Sequence, residues 1–174
     1  MVKVSGRIMA IRNQGKIAFI VIRDLTGDIQ LFCRVNILGE EAYDDVKDLD
    51  VGDWVGAEGT VIRTRRGQLS VAPTSVRLLS KSLRPLPEKF HGLSDKEIRY
   101  RQRYVDLVMN QDVRDTFVKR FAIVSAIRRY MESQGFFEVE TPMLQPIMGG
   151  ANARPFVTHH NALDMDFYLR IATE

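Results

Sequence analysis

Ile17-Ala18-Phe19-Ile20-Val21-Ile22-Arg23-Asp24-Leu25-Thr26-Gly27-Asp28-Ile29-Gln30-Leu31-Phe32-Cys33-Arg34-Val35 is the stretch that decides the fold. A β-rich apolar run over 17–22 meets a turn at 24–28, and the chain returns over 29–35 with clear period two. Alternation of that kind sends successive side chains to opposite faces of a sheet. Upstream, residues 3–12 alternate loosely and supply a strand. Downstream, residues 40–49 are acidic with sparse apolar spacing and read as a short surface helix. Residues 53–63 form a fourth strand, Arg65-Arg66-Gly67-Gln68 a hairpin turn, and residues 69–79 a fifth strand. Gly6, Gly52, Gly56 and Gly59 fit the bends a small closed barrel needs.

Five strands with a helix between the third and fourth is the order of an OB-fold β-barrel, assigned to residues 1–80. Leu83-Arg84-Pro85-Leu86-Pro87 follows. Two prolines in three residues favour extended backbone, so residues 81–93 read as a semi-rigid linker. From 94 to 174 the period turns helical. Ser94 with Glu97 has the spacing of a capping box and predicts a helix through about Met109. A second helix begins near Asp112. Its apolar residues Val113, Phe117, Phe121, Val124, Ile127 and Tyr130 fall at steps of three or four and predict one buried stripe, with Gly135 as its C-cap. There are no internal repeats.

Composition narrows the function classes. The hydrophobic share is 45% and the charged share 27%, ordinary for a soluble globular protein. The lone cysteine, Cys33, rules out an internal disulfide and suits a reducing compartment. No apolar run has membrane-helix length, and residues 1–6 hold no signal-peptide core, so the expected location is cytoplasmic. The net charge of +3 is unevenly spread. Seven of the 11 acids among residues 1–90 lie between Glu40 and Asp53. Outside that stretch the module carries 13 basic and 4 acidic residues. A basic face set against an acidic edge suits a polyanion such as RNA; a solvated surface with chance clustering is the alternative.

Three stretches carry a resemblance. The helix leading into Gly135-Phe136-Phe137-Glu138-Val139-Glu140-Thr141-Pro142-Met143-Leu144 resembles motif 1 of class II aminoacyl-tRNA synthetases. That motif is a long helix, then a strand closing on a proline, and forms the dimer interface of that family. The residues agree: Pro142 cannot donate to a sheet ladder and belongs at a strand end or edge. An ordinary amphipathic helix against its own sheet is the alternative. The closing stretch from Gly149-Gly150-Ala151-Asn152-Ala153-Arg154 through His159-His160-Asn161-Ala162-Leu163-Asp164 to Tyr168-Leu169-Arg170-Ile171-Ala172-Thr173-Glu174 resembles the amino-acid-binding loop and following strands of lysyl-tRNA synthetases, of class IIb. Residues 84–93 and 99–107 extend the match over essentially the whole chain.

The resemblance implies a β + α/β architecture: the OB-fold barrel as anticodon-binding domain, then a truncated class II catalytic domain of helices and part of an antiparallel sheet. It implies a fragment of a lysine–tRNA ligase. The intact enzyme activates lysine with ATP and Mg²⁺ and attaches it to tRNA(Lys). The phosphate-binding arginines of motifs 2 and 3 and the magnesium ligands are expected beyond Glu174, so this chain is expected to be inactive alone and to bind neither ATP nor metal. For lysine, the resemblance implies that the Gly150 carbonyl and the Glu174 carboxylate hold the α-amino group. A carboxylate suits an ammonium through a charge-assisted hydrogen bond. Taken alone, Gly149-Gly150 is also a flexible turn, and Glu174 a frayed terminal residue. Adjacent histidines in a strand face opposite ways, so His159 and His160 make no closed zinc site.

For tRNA the resemblance implies Arg12, Phe19, Gln30 and Gln68. Phe19 has apolar neighbours on both sides, so its ring is either core or a platform for an anticodon base, and the resemblance selects the platform. Gln30 both donates and accepts, which suits a uracil edge. At Gln68 the family usually shows glutamate, which puts recognition of one base in doubt. Arg65 and Arg66 read as phosphate contacts or as solvated turn residues. At the dimer interface the resemblance implies Phe117, Phe121, Val124 and Pro142, giving a homodimer. The other readings are a free-standing RNA-binding or dimerisation module without catalysis, or another class IIb-like protein. The stretch 159–164 argues against the aspartate and asparagine enzymes, and the complete barrel against paralogues lacking one.

Overall fold

The computed structural model describes residues 1–87 and 93–173. Residues 88–92 of the expected linker and Glu174 lie outside the described residues. The chain divides into two compact units, Met1–Gln111 and Asp112–Glu174.

The first unit opens with β1 (Val2–Gln14), β2 (Ile17–Arg23) and β3 (Asp28–Arg34), then α1 (Val35–Leu38) and α2 (Glu40–Lys47), then β4 (Trp54–Arg63) and β5 (Leu69–Ser80). The strands close into a barrel in the order β1-β2-β3-β5-β4. All neighbours are antiparallel except β3 and β5, which run parallel and meet at Gln30↔Ser70 and Leu31↔Val71. The five-strand barrel read from the sequence is therefore present. Period two explains its interior. Ala18, Ile20 and Ile22 of β2 point inward with Leu31 and Cys33 of β3, and meet Ile8, Val55 and Val71. The acidic helix α2 adds Tyr43 and Val46 to this core, and the Tyr43 hydroxyl donates to the Gly15 carbonyl at 3.0 Å. Burial pushes the Cys33 thiol up to about 12, so it stays a neutral, unreactive core residue at physiological pH.

One close approach shapes the β4–β5 hairpin. The register shifts between Glu58 and Gly59. A Cβ at Gly59 would lie 2.2 Å from the Ala72 carbonyl oxygen and 2.6 Å from the Pro73 Cα. Only glycine lets the two backbones come this near.

The chain leaving β5 is tied back to the barrel. Asp53 is wholly buried and accepts from the Asp50 amide, the Ser82 amide and the Lys81 ammonium, all at 2.8–2.9 Å. Lys81 also donates to Asp50 and to the Asp48 carbonyl. Burial alone would raise the Asp53 carboxyl, but these donors outweigh it and hold it below the usual carboxylate range.

The rest of the unit corrects one expectation. The helix predicted from Ser94 through Met109 is two helices, α3 (Lys96–Arg101) and α4 (Arg103–Met109), broken at Gln102. The cap is Asp95, whose carboxylate accepts from the Ile98 amide at 2.8 Å. Ser94 and Asp95 are both cap-forming types, and the carboxylate adds charge at a helix N-terminus. Glu97 pairs with Arg101 instead of closing a capping box. The break sits beside a buried carboxylate. Asp106 accepts from Arg99 at 2.9 Å, from Arg103, and from the Asn110 amide at 2.6 Å.

The second unit contains most of α5 (Gln111–Ser133), then β6 (Leu144–Gln145), β7 (Val157–His160) and β8 (Met165–Leu169). The three strands form an antiparallel sheet, ordered β6-β8-β7. Helix α5 ends as expected at Gly135. The Gly135 amide donates to Glu132 and the Phe136 amide to Met131, with Gly135 at φ 85°, a Schellman closure. The stripe along α5 is a second correction. Val113 is buried and Phe117 half-buried, but Phe121 and Ile127 are nearly three-fifths exposed and Tyr130 more so. One long helix and a short sheet have too little surface to cover it. A third correction concerns the strand expected to close on Pro142. Residues 136–142 pair with no strand among the described residues, and β6 begins two residues after Pro142. That segment is held by Arg170 instead. Its backbone amide donates to Met143, and its guanidinium to the Thr141 carbonyl at 2.8 Å. Among the described residues, no helix is long and apolar enough to cross a membrane.

Candidate nucleic-acid interface

The barrel alternation that buries Ala18, Ile20, Leu31 and Cys33 turns Phe19, Gln30, Phe32 and Arg34 to the outer face. Cross-strand register then sets Arg12 opposite Phe19, and Phe19 opposite Phe32. Phe19 is half-buried, lies outside the core cluster, and stacks on Phe32 with ring centres 4.9 Å apart and planes 10° apart. Of the two readings of Phe19, core or outward platform, the structure has the outward ring. The Arg12 guanidinium lies 5.7 Å from the Phe19 ring centre, and the Arg34 guanidinium 5.0 Å from that of Phe32. Both are within cation–π range.

The neighbouring row carries hydrogen-bonding groups. Gln30 Oε1 accepts from Arg12 at 3.2 Å, and Gln30 Nε2 donates to Ser70 Oγ at 2.9 Å. Ser70 Oγ donates in turn to the Gln68 carbonyl. Each end of the Gln30 amide is thus used once. One N–H and one oxygen lone pair remain, a donor and an acceptor side by side. Gln68 joins this relay through its backbone, and its side chain is exposed at the β4–β5 hairpin. Arg65 and Arg66 sit exposed in that hairpin. The arrangement combines stacked rings, a two-way amide and cations, the elements that hold single-stranded nucleic acid.

Phe32, Arg34 and Ser70 belong to this face but were not singled out from sequence. The signal for the first two was present. Residues two and four beyond Gln30 share its face once Leu31 and Cys33 are assigned inward. Ser70 carried none, because its role comes from the parallel β3–β5 contact.

In the second unit Gly150 has φ 99°, and a Cβ there would lie 3.0 Å from the Ala172 Cβ. The loop glycine and the segment leading to residue 174 therefore come together, which fits the expected grouping of Gly150 with Glu174, although Glu174 itself lies outside the described residues. A Cβ at Gly149 would meet nothing within 4 Å. His159 Nδ1 lies 3.0 Å from Asp166 and its Nε2 3.4 Å from Asp164, while His160 Nδ1 accepts from the Leu163 amide. Among the described residues no three His, Cys, Asp or Glu side chains gather to hold a metal ion.

Comparison with known proteins agrees with both units. The family model described as OB-fold nucleic acid binding domain matches residues 2–79, and that described as tRNA synthetases class II (D, K and N) matches residues 95–174. A lysine–tRNA ligase of Dehalococcoides mccartyi is 60% identical over 174 residues, covering all of this chain and 35% of that protein. Lysine–tRNA ligases of Clostridium perfringens and Aromatoleum aromaticum are 58% and 60% identical over 173 residues, 34% of each protein's length. The chain spans about a third of these relatives. With both models matched in order and this identity along its whole length, the chain belongs to the lysyl-tRNA synthetase family of class II synthetases and corresponds to the anticodon-binding domain and the start of the catalytic domain.

Proposed function

We propose that this chain supplies the tRNA-anticodon-binding part of a lysine–tRNA ligase, with Arg12, Phe19, Gln30 and Gln68 meeting the anticodon of tRNA(Lys). The observation that carries the reading is the outward Phe19 ring between Arg12 and Phe32, beside the half-used Gln30 amide. Phe19 offers a stacking surface, Gln30 a donor and acceptor for a uracil edge, and Arg65 and Arg66 charge for phosphates. Titration of the 174-residue chain with a stem-loop bearing UUU, against one bearing an unrelated triplet at fixed salt, tests it. Phe19→Ala is expected to cost about 1–3 kcal/mol of binding, and Phe19→Tyr much less because it keeps a ring face. Equal affinity for both stem-loops, unchanged in Phe19→Ala, refutes the assignment.

The whole ligase, in this reading, activates lysine with ATP and Mg²⁺ and transfers it to the tRNA 3′ end, in the cytoplasm. We assign no residue of this chain to ATP or Mg²⁺. For lysine we assign the Gly150 carbonyl, supported by its approach to Ala172, together with Glu174. Residues 1–80 form the anticodon domain, 81–93 its linker and 94–174 the catalytic part.

We assign a homodimer contact to Phe117, Phe121, Val124 and Pro142. The exposed face of α5 and the unpaired stretch 136–142 support it, since apolar patches of this extent mark association surfaces. Sedimentation at tens of micromolar is expected to give a dimer or larger species, and Phe121→Glu to shift it toward monomer. A wild-type monomer with cooperative melting contradicts the assignment.

A further inference from the structure

The column on the barrel face has two ends, and the function proposed above uses only one. Arg12, Phe19, Phe32 and Arg34 follow one another at 5.7, 4.9 and 5.0 Å. The end formed by Arg34 on Phe32 repeats the chemistry of the end formed by Arg12 on Phe19. It differs in one respect. Arg12 donates to Gln30, whereas Arg34 Nε is buried and has no hydrogen-bond partner. An orphaned donor of this kind carries an energetic penalty until an acceptor arrives. Phe32 is half-buried on the outer face, so its ring is reachable.

We propose that Phe32 and Arg34 form a second nucleotide site, in which a base flanking the one on Phe19 stacks on Phe32 while the Arg34 guanidinium bonds a phosphate oxygen or base acceptor of the same nucleotide. A planar, sequence-tolerant platform beside a cation is the usual way an OB-fold surface follows a single strand. Arg34 then satisfies its free donor with the negative charge that single-stranded RNA provides. The inference rests on the barrel face being the RNA surface, and it assigns that face two stacked bases where the function above requires one.

The probe is the UUU stem-loop carrying 2-aminopurine at one loop position at a time, titrated against the full 174-residue chain. The wild type is expected to quench two loop positions. Phe19→Leu should silence one of them and Phe32→Leu the other, each with a loss of about 5- to 150-fold in affinity. Arg34→Gln should weaken binding to all RNAs and reduce the salt slope by about one unit. If Phe32→Leu and Phe19→Leu silence the same position, or Phe32→Leu silences none, Phe32 only supports Phe19 and the second site is refuted. Should Phe32→Leu fail to fold by circular dichroism, Arg34→Gln decides alone, and an unchanged salt slope refutes the proposal. A wild type that binds no stem-loop removes both the RNA reading of this face and the second site.

Discussion

Gly59→Ala is expected to destabilise the barrel by about 3 kcal/mol or more, the upper part of the range for overpacking a close-packed site. The added methyl would stand 2.2 Å from the Ala72 carbonyl oxygen and 2.6 Å from the Pro73 Cα, both of them backbone atoms. A side chain rotates away from such a clash; a strand has to move. Movement here separates β4 from β5, the longest antiparallel pairing of the barrel. At about 4–8 °C per kcal/mol for a domain of this size, the melting midpoint should fall by at least about 12 °C. Gly67→Ala is the control. Gly67 has φ 83° but open space around its Cβ position, so its cost is backbone strain alone, about 1 kcal/mol. Thermal melts by circular dichroism compare the two. If Gly59→Ala melts no lower than Gly67→Ala, the steric argument fails.

Asp106→Ala is expected to cost about 2–3 kcal/mol, judged from hydrogen bonds to charged groups. The full penalty for stranding a buried charge does not apply, because Arg99 and Arg103 keep about a third of their side-chain surface in water. The same carboxylate makes stability depend on pH. Burial pushes it up, but Asn110, Arg99 and Arg103 reverse this and leave it below the usual carboxylate range. A carboxyl lowered by folding stabilises the folded state fully above its unfolded value of about 4, and this contribution is lost as pH falls through the folded value. Urea titrations from pH 7 down to pH 3 should therefore show a steeper decline below pH 4 in the wild type than in Asp106→Asn. Parallel declines count against Asp106 as a source of that dependence.

The barrel was legible because its strands alternate and its turns carry glycine and aspartate. What could not be read was the direction of Phe19. Residues 17–22 are apolar on both faces, so periodicity marks no inside there. The answer lay in β3, where Gln30 and Arg34 mark the outer face and take Phe32, and through it Phe19, with them. The break at Gln102 was hidden for a different reason. No glycine or proline marks it, and the charges gathered on Asp106 beside it come from residues three to seven positions away. Along α5 the spacing showed that an apolar stripe exists. Spacing does not tell what covers the stripe, and within this chain most of it stays uncovered.

Arg12 gives the barrel face an internal competitor. Its guanidinium lies against the Phe19 ring and also occupies Gln30 Oε1, the two groups an incoming base would need. The protein is thus its own weak ligand. Any affinity measured at this face is a difference between what the newcomer gains and what Arg12 gives up. A neutral aromatic compound offers the ring but nothing for the displaced cation. A nucleotide brings both halves of the exchange: its base takes the ring and the amide, and its phosphate receives the arginine. Selection for a charged strand over a merely flat molecule is therefore set in the free protein, before contact is made.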